Sequence, residues 1–173
     1  MELRSQFRSI PDDASFRLIY FWVYQTPISM NKLTYIDDCQ LDHFILRKLM
    51  SRFGSSAEIR CTGSGSRIMD QLCQNYMDED SLPDIILLDI AYQPGFDAWG
   101  FLDKLRSLYP LLAKPIDVYI LSATKYQADL EHLQIYDFVK AFIMKPITKE
   151  ALQKIIRQRE VSMDRFALIE SYN

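Results

Sequence analysis

The sequence predicts an α/β fold in which helices cover both faces of a doubly wound, five-stranded parallel sheet. Short apolar runs alternate with helical stretches along the chain, and such runs are typical of strands buried in a parallel sheet. The strand–helix unit repeats five times, which predicts right-handed crossovers between the strands. Polar residues close four of the runs, and parallel sheets bind their ligands beyond the carboxyl ends of the strands. We therefore expect the functional site at that edge of the sheet.

The apolar runs and the helical periodicity between them define the predicted elements. The runs cover residues 33–36, 57–62, 85–88, 118–121 and 141–144. The helix after the first run has an apolar face that is expected to point inward and consists of Leu41, Phe44, Ile45 and Leu49. His43 and His132 are predicted to be surface residues, since neither belongs to a cluster of metal ligands. A glycine-serine turn precedes the next helix, and Ser66 is expected to cap it.

The chain of 173 residues is long enough for one domain with short additional segments. Residues 30–160 form the predicted domain, with an N-terminal extension at 1–29 and a C-terminal tail at 161–173. The extension has one apolar run, 18–24, which is too short to span a bilayer because a membrane helix needs ~20 apolar residues. Met30 directly precedes the first strand and is an alternative start of the protein. The tail is expected to be frayed with partial packing, and the alternative is that it extends the last helix.

The composition argues against several classes of function. Hydrophobic residues make up 49% of the chain and charged residues 25%, which favours a folded domain with a sizeable core. A net charge of −3 without a basic patch argues against binding of nucleic acid. The three cysteines form no CxxC pair, so reduced thiols in a cytoplasmic protein are expected.

The residues that close the apolar runs carry the chemistry. Asp37 and Asp38 follow the first run, Asp89 the third, Ser122 the fourth and Lys145 the fifth. Three carboxylates at one edge repel each other unless a cation lies among them, and Mg²⁺ prefers oxygen ligands. A carboxylate can also attack phosphorus to form an acyl phosphate. Each residue alone is common in turns and caps, but together they indicate a magnesium-dependent phosphoryl site.

Residues 31–158 resemble the receiver domain of two-component response regulators. The matching segments are 35–38, 83–90, 121–123 and 142–146. The resemblance implies a flavodoxin-like (βα)5 fold and a phosphoryl group that is accepted by Asp89. It also implies that Mg²⁺ is bound by Asp38, Asp89 and the backbone carbonyl of Ala91, with Asp37 acting largely through metal-bound water. The loop at 90–98 departs from the family because it is one residue longer.

The resemblance also assigns the residues that respond to the phosphoryl group. Lys145 would bind one phosphoryl oxygen, and Ser122 would close onto another. Phe142 stands where the family has an aromatic residue that rotates inward on activation. It lacks the hydroxyl that many members carry, so any switch would work by packing alone. The alternative is a simple core aromatic. The bond between Lys145 and Pro146 is often cis in the family, which X-Pro bonds tolerate.

The resemblance favours a stand-alone response regulator, which is a signalling protein rather than an enzyme. A histidine kinase or a phosphotransfer protein would supply the phosphoryl group. The output would be a change in binding to an unidentified downstream protein through the fourth helix, fifth strand and fifth helix, and a phosphorylation-dependent dimer is a further option. An aspartate-dependent phosphatase is disfavoured, because it needs a second carboxylate two residues after the nucleophile, where Ala91 stands. The remaining alternative is a scaffold, or pseudo-receiver, that binds partners without being phosphorylated.

Overall fold

The structure is a computed structural model that describes residues 32–52, 57–90, 96–124 and 126–170, without the side chains of residue 127 and of residues 160–170. The strands are β1 (Lys32–Ile36), β2 (Glu58–Thr62), β3 (Ile85–Asp89), β4 (Asp117–Ser122) and β5 (Val139–Met144). The helices are α1 (Gln40–Ser51), α2 (Gly65–Asn75), α3 (Ala98–Leu108), α4 (Gln127–Leu133) and α5 (Lys149–Glu170). A short 3-10 helix, Tyr109–Leu111, follows α3. The predicted extension at 1–29, together with Met30 and Ala91, lies outside the described residues.

The five strands form one parallel sheet in the order β2-β1-β3-β4-β5. All four neighbouring pairs run parallel, which confirms the predicted doubly wound fold. The chain moves outward from β1 to β2 and then returns to the other side of β1 with β3. The strand order therefore reverses beside β1 and β3, and ligands of open α/β sheets bind at such a reversal.

The central strand β3 shows why the sheet is buried on both faces. Every residue of β3 is buried. Ile85 and Leu87 pack with residues of α1 and α5, whereas Ile86 and Leu88 pack with residues of α2, α3 and α4. Because successive side chains of a strand point to opposite faces, a continuous apolar run fills two cores at once.

The buried face of α1 differs from the predicted one. Its buried residues are His43, Leu46 and Met50, whereas Leu41 and Phe44 are 64% and 62% exposed. The prediction that His43 lies at the surface is therefore wrong. Its ring meets the ring of Tyr35 edge to face at 5.5 Å, so the packing of α1 against β1 selects the stripe that contains His43.

Helix α2 begins two residues earlier than predicted. Ser64, and not Ser66, is the N-cap, and its side chain accepts a hydrogen bond from the backbone N–H of Arg67 at 3.3 Å. The next residue, Gly65, lies against the ring of Phe96, and a Cβ at this position would be 1.9 Å from the ring. The glycine therefore allows α2 to pack directly against the segment that leads into α3.

The last helix is longer than the predicted domain. It runs as one helix from Lys149 to Glu170, so helical backbone continues through most of the segment predicted as a tail. Leu152, Ile155 and Ile156 are buried on the sheet, as the periodicity indicates. In the described part of the chain, no helix combines the length and the apolar character that crossing a membrane requires.

A buried charge network ties α5 to the amino-terminal ends of the strands. Arg159 is 3% exposed, and its guanidinium donates to Asp117 at 3.3 Å and to the carbonyl of Pro115 at 2.8 Å. It also lies 3.7 Å from Asp84, which forms an ion pair with Lys114 at 2.8 Å. The two buried carboxylates therefore share a cation that belongs to the last helix.

Candidate functional site

The topology brings the predicted acidic residues together at the carboxyl ends of β1 and β3. Ile36 pairs with Leu88, so the residues that follow each strand's apolar run are neighbours. Carboxylate oxygens of Asp37, Asp38 and Asp89 all lie within 4.8 Å of one another. Asp37 and Asp89 are buried, whereas Asp38 is exposed. The site therefore combines two fixed carboxylates with one that solvent can reach.

Lys145 follows β5 and reaches into this cluster. Its ammonium group donates to Asp37 at 2.5 Å, to Asp89 at 2.8 Å and to Asp42 at 3.0 Å. Burial lowers the pKa of Lys145, but the hydrogen bonds to the three carboxylates outweigh this effect and raise the pKa above its ordinary value. The lysine is therefore a permanent cation in the site. The peptide bond to Pro146 is cis, the isomer that the resemblance implies.

Asp37 accepts hydrogen bonds from donors that the sequence does not predict. The hydroxyl of Tyr35 donates to Oδ2, and the backbone N–H of Cys39 donates to Oδ1 at 2.7 Å. Burial, followed by the hydrogen bond to Asp37, raises the pKa of Tyr35. Its hydroxyl therefore stays protonated and serves as a donor. The side chain of Asp37 is 0% exposed, and these contacts stabilise its charge without water.

Two residues of the site, Tyr35 and Asp42, were missed by sequence reasoning. Tyr35 looks like an ordinary aromatic residue of an apolar strand, although its place two residues before Asp37 puts both side chains on one face of β1. Asp42 looks like an acidic residue in the first turn of α1, where it would interact with the helix dipole. In both cases a simpler role accounts for the residue type.

Two other predicted site residues, Ser122 and Phe142, lie in the neighbouring strands β4 and β5. Ser122 is buried at the end of β4, and its hydroxyl accepts a hydrogen bond from the backbone N–H of Thr124 at 3.2 Å. The backbone carbonyl of Ser122 accepts the N–H of Lys145 at 2.9 Å, which joins the ends of β4 and β5. Phe142 is partly buried and packs against the core beneath α2, α3 and α4. Ala91 lies outside the described residues.

The donor set fits a magnesium ion. The available donors are carboxylate oxygens, which are the ligands that Mg²⁺ prefers. Asp38 makes no hydrogen bond within the described ranges, so its oxygens remain open to a cation. Among the described residues, the carboxylates of Asp37, Asp38, Asp42 and Asp89 outnumber the ammonium group of Lys145, so the cluster carries an excess of negative charge. A divalent cation would remove most of this repulsion.

We expect Asp38→Ala to abolish stabilisation by Mg²⁺ while leaving the protein folded. Without metal the variant should be as stable as the wild type or slightly more stable, because one repelling carboxylate is gone. In the wild type, Mg²⁺ at 10 to 100 times its dissociation constant should add about 1.4–2.7 kcal/mol to the free energy of unfolding. Thermal melting with and without Mg²⁺ measures both effects.

The matched control for Asp38→Ala is Asp70→Ala, which removes an exposed acidic side chain of α2 outside the cluster. This control should respond to Mg²⁺ like the wild type. An Asp38→Ala variant that is stabilised by Mg²⁺ as strongly as the wild type would remove Asp38 from the metal site.

Known proteins are similar to this chain in structure but not significantly in sequence. The sequence matches no protein-family model, and no curated protein is significantly similar to it in sequence. Among solved structures, a two-component response regulator from Legionella pneumophila is 22% identical, with a TM-score of 0.65 over 75% of this chain and 98% of that chain. One from Cytophaga hutchinsonii is 23% identical, with a TM-score of 0.66 over 75% of this chain and 96% of that chain.

A response regulator receiver protein from Dyadobacter fermentans is similar to the same extent. It is 21% identical, with a TM-score of 0.60 over 74% of this chain and 96% of that chain. In each case nearly the whole of the solved chain is covered by about three quarters of this one. The chain therefore has the fold of a response-regulator receiver domain.

Proposed function

We propose that this protein is a stand-alone response regulator whose Asp89 accepts a phosphoryl group in a magnesium-dependent reaction. The observation that carries the proposal is the position of Asp89. Its carboxylate is buried, lies within 4.8 Å of two further carboxylates and contacts the ammonium of Lys145 at 2.8 Å. A nucleophile beside a cation and a metal-ligating group is what phosphoryl transfer requires.

Each residue of the site would have a separate role in phosphoryl transfer to Asp89. Asp38 and Asp89 would hold Mg²⁺ together with the carbonyl of Ala91, and Asp37, whose oxygens already accept three hydrogen bonds, would act largely through water. The bound ion would supply positive charge that neutralises the phosphoryl oxygens. A carboxylate oxygen of Asp89 forms a bond to phosphorus as the bond from phosphorus to the donor's histidine nitrogen breaks. Lys145 balances the charge on one of the remaining oxygens.

The signal would arise from interactions that change when Asp89 carries the phosphoryl group. Ser122 lies at the end of β4 and would close onto the group, and Phe142 is the aromatic residue that would move inward. The surface formed by α4, β5 and α5 is the proposed binding site for the downstream protein. The switch can only be as large as that partner's preference for the phosphorylated conformation. The proposed donor is a histidine kinase or a phosphotransfer protein.

The alternative function is a scaffold that is never phosphorylated. The observation that favours it is that Lys145 already pairs with three carboxylates, so the site is partly compensated without a metal or a phosphoryl group. The clustered carboxylates argue for the phosphoacceptor, because their mutual repulsion costs stability and a scaffold needs no metal site.

Beryllofluoride distinguishes the two functions, because it occupies the position of a phosphoryl group on a carboxylate without a transfer step. We expect the wild type to bind it only when Mg²⁺ is present, as followed by fluorine NMR. Asp89→Asn should show no bound signal under the same conditions, while its fold, checked by circular dichroism, stays intact. A wild type that binds no beryllofluoride with Mg²⁺ would support the scaffold.

A further inference from the structure

The ammonium group of Lys145 has no donor left over. An ammonium carries three N–H groups, and Lys145 directs them to Asp37, Asp42 and Asp89. Only Asp89 would be changed by phosphorylation. The other two carboxylates belong to different elements, since Asp37 follows β1 and Asp42 lies in the first turn of α1. Two different elements of the fold therefore hold the ammonium.

Both of these carboxylates are themselves restrained. Asp37 is fully buried and accepts hydrogen bonds from the hydroxyl of Tyr35 and the backbone of Cys39. Asp42 is carried by α1, which is packed onto the sheet through the buried residues Leu46 and Met50. Its side chain is 20% exposed. Neither carboxylate has to move when the chemistry at Asp89 takes place.

Within the described structure, Asp42 contacts the rest of the site through one ion pair, and its charge also raises the pKa of Tyr35. The carboxylates that lie within metal-sharing distance of one another are Asp37, Asp38 and Asp89, and Asp42 is not one of them. Its contact with the site is the ion pair to Lys145 at 3.0 Å. The direct effect of Asp42 on phosphoryl transfer is therefore expected to pass through Lys145, since the Tyr35 hydroxyl donates to Asp37.

We propose that Asp42 is a positioning residue for phosphoryl transfer, which acts by holding Lys145. Asp37 and Asp42 hold two of its N–H groups, and the third stays directed at Asp89 when that side chain changes from a carboxylate to an acyl phosphate. This inference rests on the proposed function. Without Asp42 the ammonium loses one of its two fixed partners, and the contact with the phosphoryl oxygen is no longer preorganised. One charged hydrogen bond corresponds to a change of about tenfold in rate.

Asp42 could instead have one of two less specific roles. Asp42 could act only by its negative charge, which would attract Mg²⁺ from a distance, or only as an acidic residue at the N-terminus of α1. The double-mutant cycle below tests the second role, because an interaction of Asp42 with the helix dipole does not depend on Lys145.

The test is a double-mutant cycle on the labelling of Asp89 by acetyl phosphate. Asp42→Asn, Lys145→Ala and the double variant are compared with the wild type at saturating Mg²⁺, and the dissociation constant for Mg²⁺ is measured for each. We expect Asp42→Asn to slow labelling about tenfold in the wild type and by less than twofold when Lys145 is already absent. Equal slowing in both backgrounds, or no slowing in the wild type, would overturn the role of Asp42. A change confined to the affinity for Mg²⁺ would assign it to long-range charge instead.

A second readout separates this inference from the proposed function. The same four proteins are unfolded with urea in the absence of Mg²⁺, where no phosphoryl chemistry takes part. Non-additive changes in stability are expected, because Asp42 and Lys145 are in contact. A wild type that is never labelled would overturn the proposed function and the role in transfer together. A wild type that is labelled, with additive effects in both cycles, would overturn the role of Asp42 alone.

Discussion

Replacing Lys145 by alanine is expected to lower the free energy of unfolding by about 3–5 kcal/mol in the absence of Mg²⁺, the cost of breaking a buried ion pair. The substitution leaves Asp37 and Asp89 without the ammonium that now lies 2.5 and 2.8 Å from their oxygens. Both carboxylates are buried, so water cannot take over from the lysine. Urea denaturation of the two proteins in metal-free buffer measures the difference.

Magnesium provides the internal control for this prediction. A divalent cation among the carboxylates should recover a large part of the lost stability, so the gap between variant and wild type should narrow in millimolar Mg²⁺. Adding Asp37→Asn to the Lys145→Ala variant should raise the free energy of unfolding without metal, because it removes one of the buried carboxylates that the lysine no longer neutralises. A loss below about 1 kcal/mol in metal-free buffer would show that the cluster does not depend on the lysine.

The second large effect is expected at the opposite edge of the sheet. Arg159→Ala should lower the free energy of unfolding by about 3 kcal/mol, because removing one partner of a buried ion pair leaves the other charge buried and unpaired. Arg159 is 3% exposed and donates to Asp117 and to the carbonyl of Pro115. Asp84 retains Lys114 at 2.8 Å, which keeps the expected loss at the lower end of the range for buried pairs.

The control for Arg159 is the second cation near Asp117. Lys140 lies 3.6 Å from that carboxylate, but its side chain is 45% exposed. Lys140→Ala should therefore cost no more than about 1 kcal/mol, as is usual for ion pairs at the surface. If Arg159→Ala and Lys140→Ala lower the free energy of unfolding equally in the same denaturation experiment, burial does not determine how much each ion pair contributes to stability.

The fold could be predicted from the sequence because the strands of a parallel sheet are buried on both faces. Their apolar runs stand out, and the runs at 85–88 and 118–121 fall within β3 and β4. The last run, 141–144, is less typical, since β5 is an edge strand with a half-buried and exposed pattern. Its end is nevertheless marked in the sequence, because Lys145 and Pro146 follow it directly.

The buried face of α1 could not be predicted, because the sequence offers two overlapping stripes. One contains the large apolar residues Leu41 and Phe44, and the other contains His43 and Leu46. Periodicity favours the stripe with more apolar surface. The structure selects the other one, in which the ring of His43 lies against Tyr35. Tertiary contacts with β1 decide the orientation, and a single sequence does not contain them.

The sequence predicts which residues at the strand ends come together, but not all the contacts that they make. Residues at strand ends converge because the topology brings them together, so Asp37, Asp38, Asp89 and Lys145 could be grouped in advance. The partner of Lys145 on α1 could not, since Asp42 is 103 residues away in sequence and acidic residues in a first helical turn are common for another reason. Contacts of this kind depend on how a helix is rotated over the sheet.

The central claim, that Asp89 is the phosphoacceptor, is tested most directly by mapping the phosphoryl group. The protein is incubated with acetyl phosphate and Mg²⁺, the acyl phosphate is trapped by borohydride reduction, and the modified residue is identified by mass spectrometry. We expect a single modified position at Asp89 and no label in Asp89→Asn or in wild type that is kept free of Mg²⁺. Label that persists at undiminished yield in Asp89→Asn, or a wild type that stays unlabelled while binding Mg²⁺, would contradict the account.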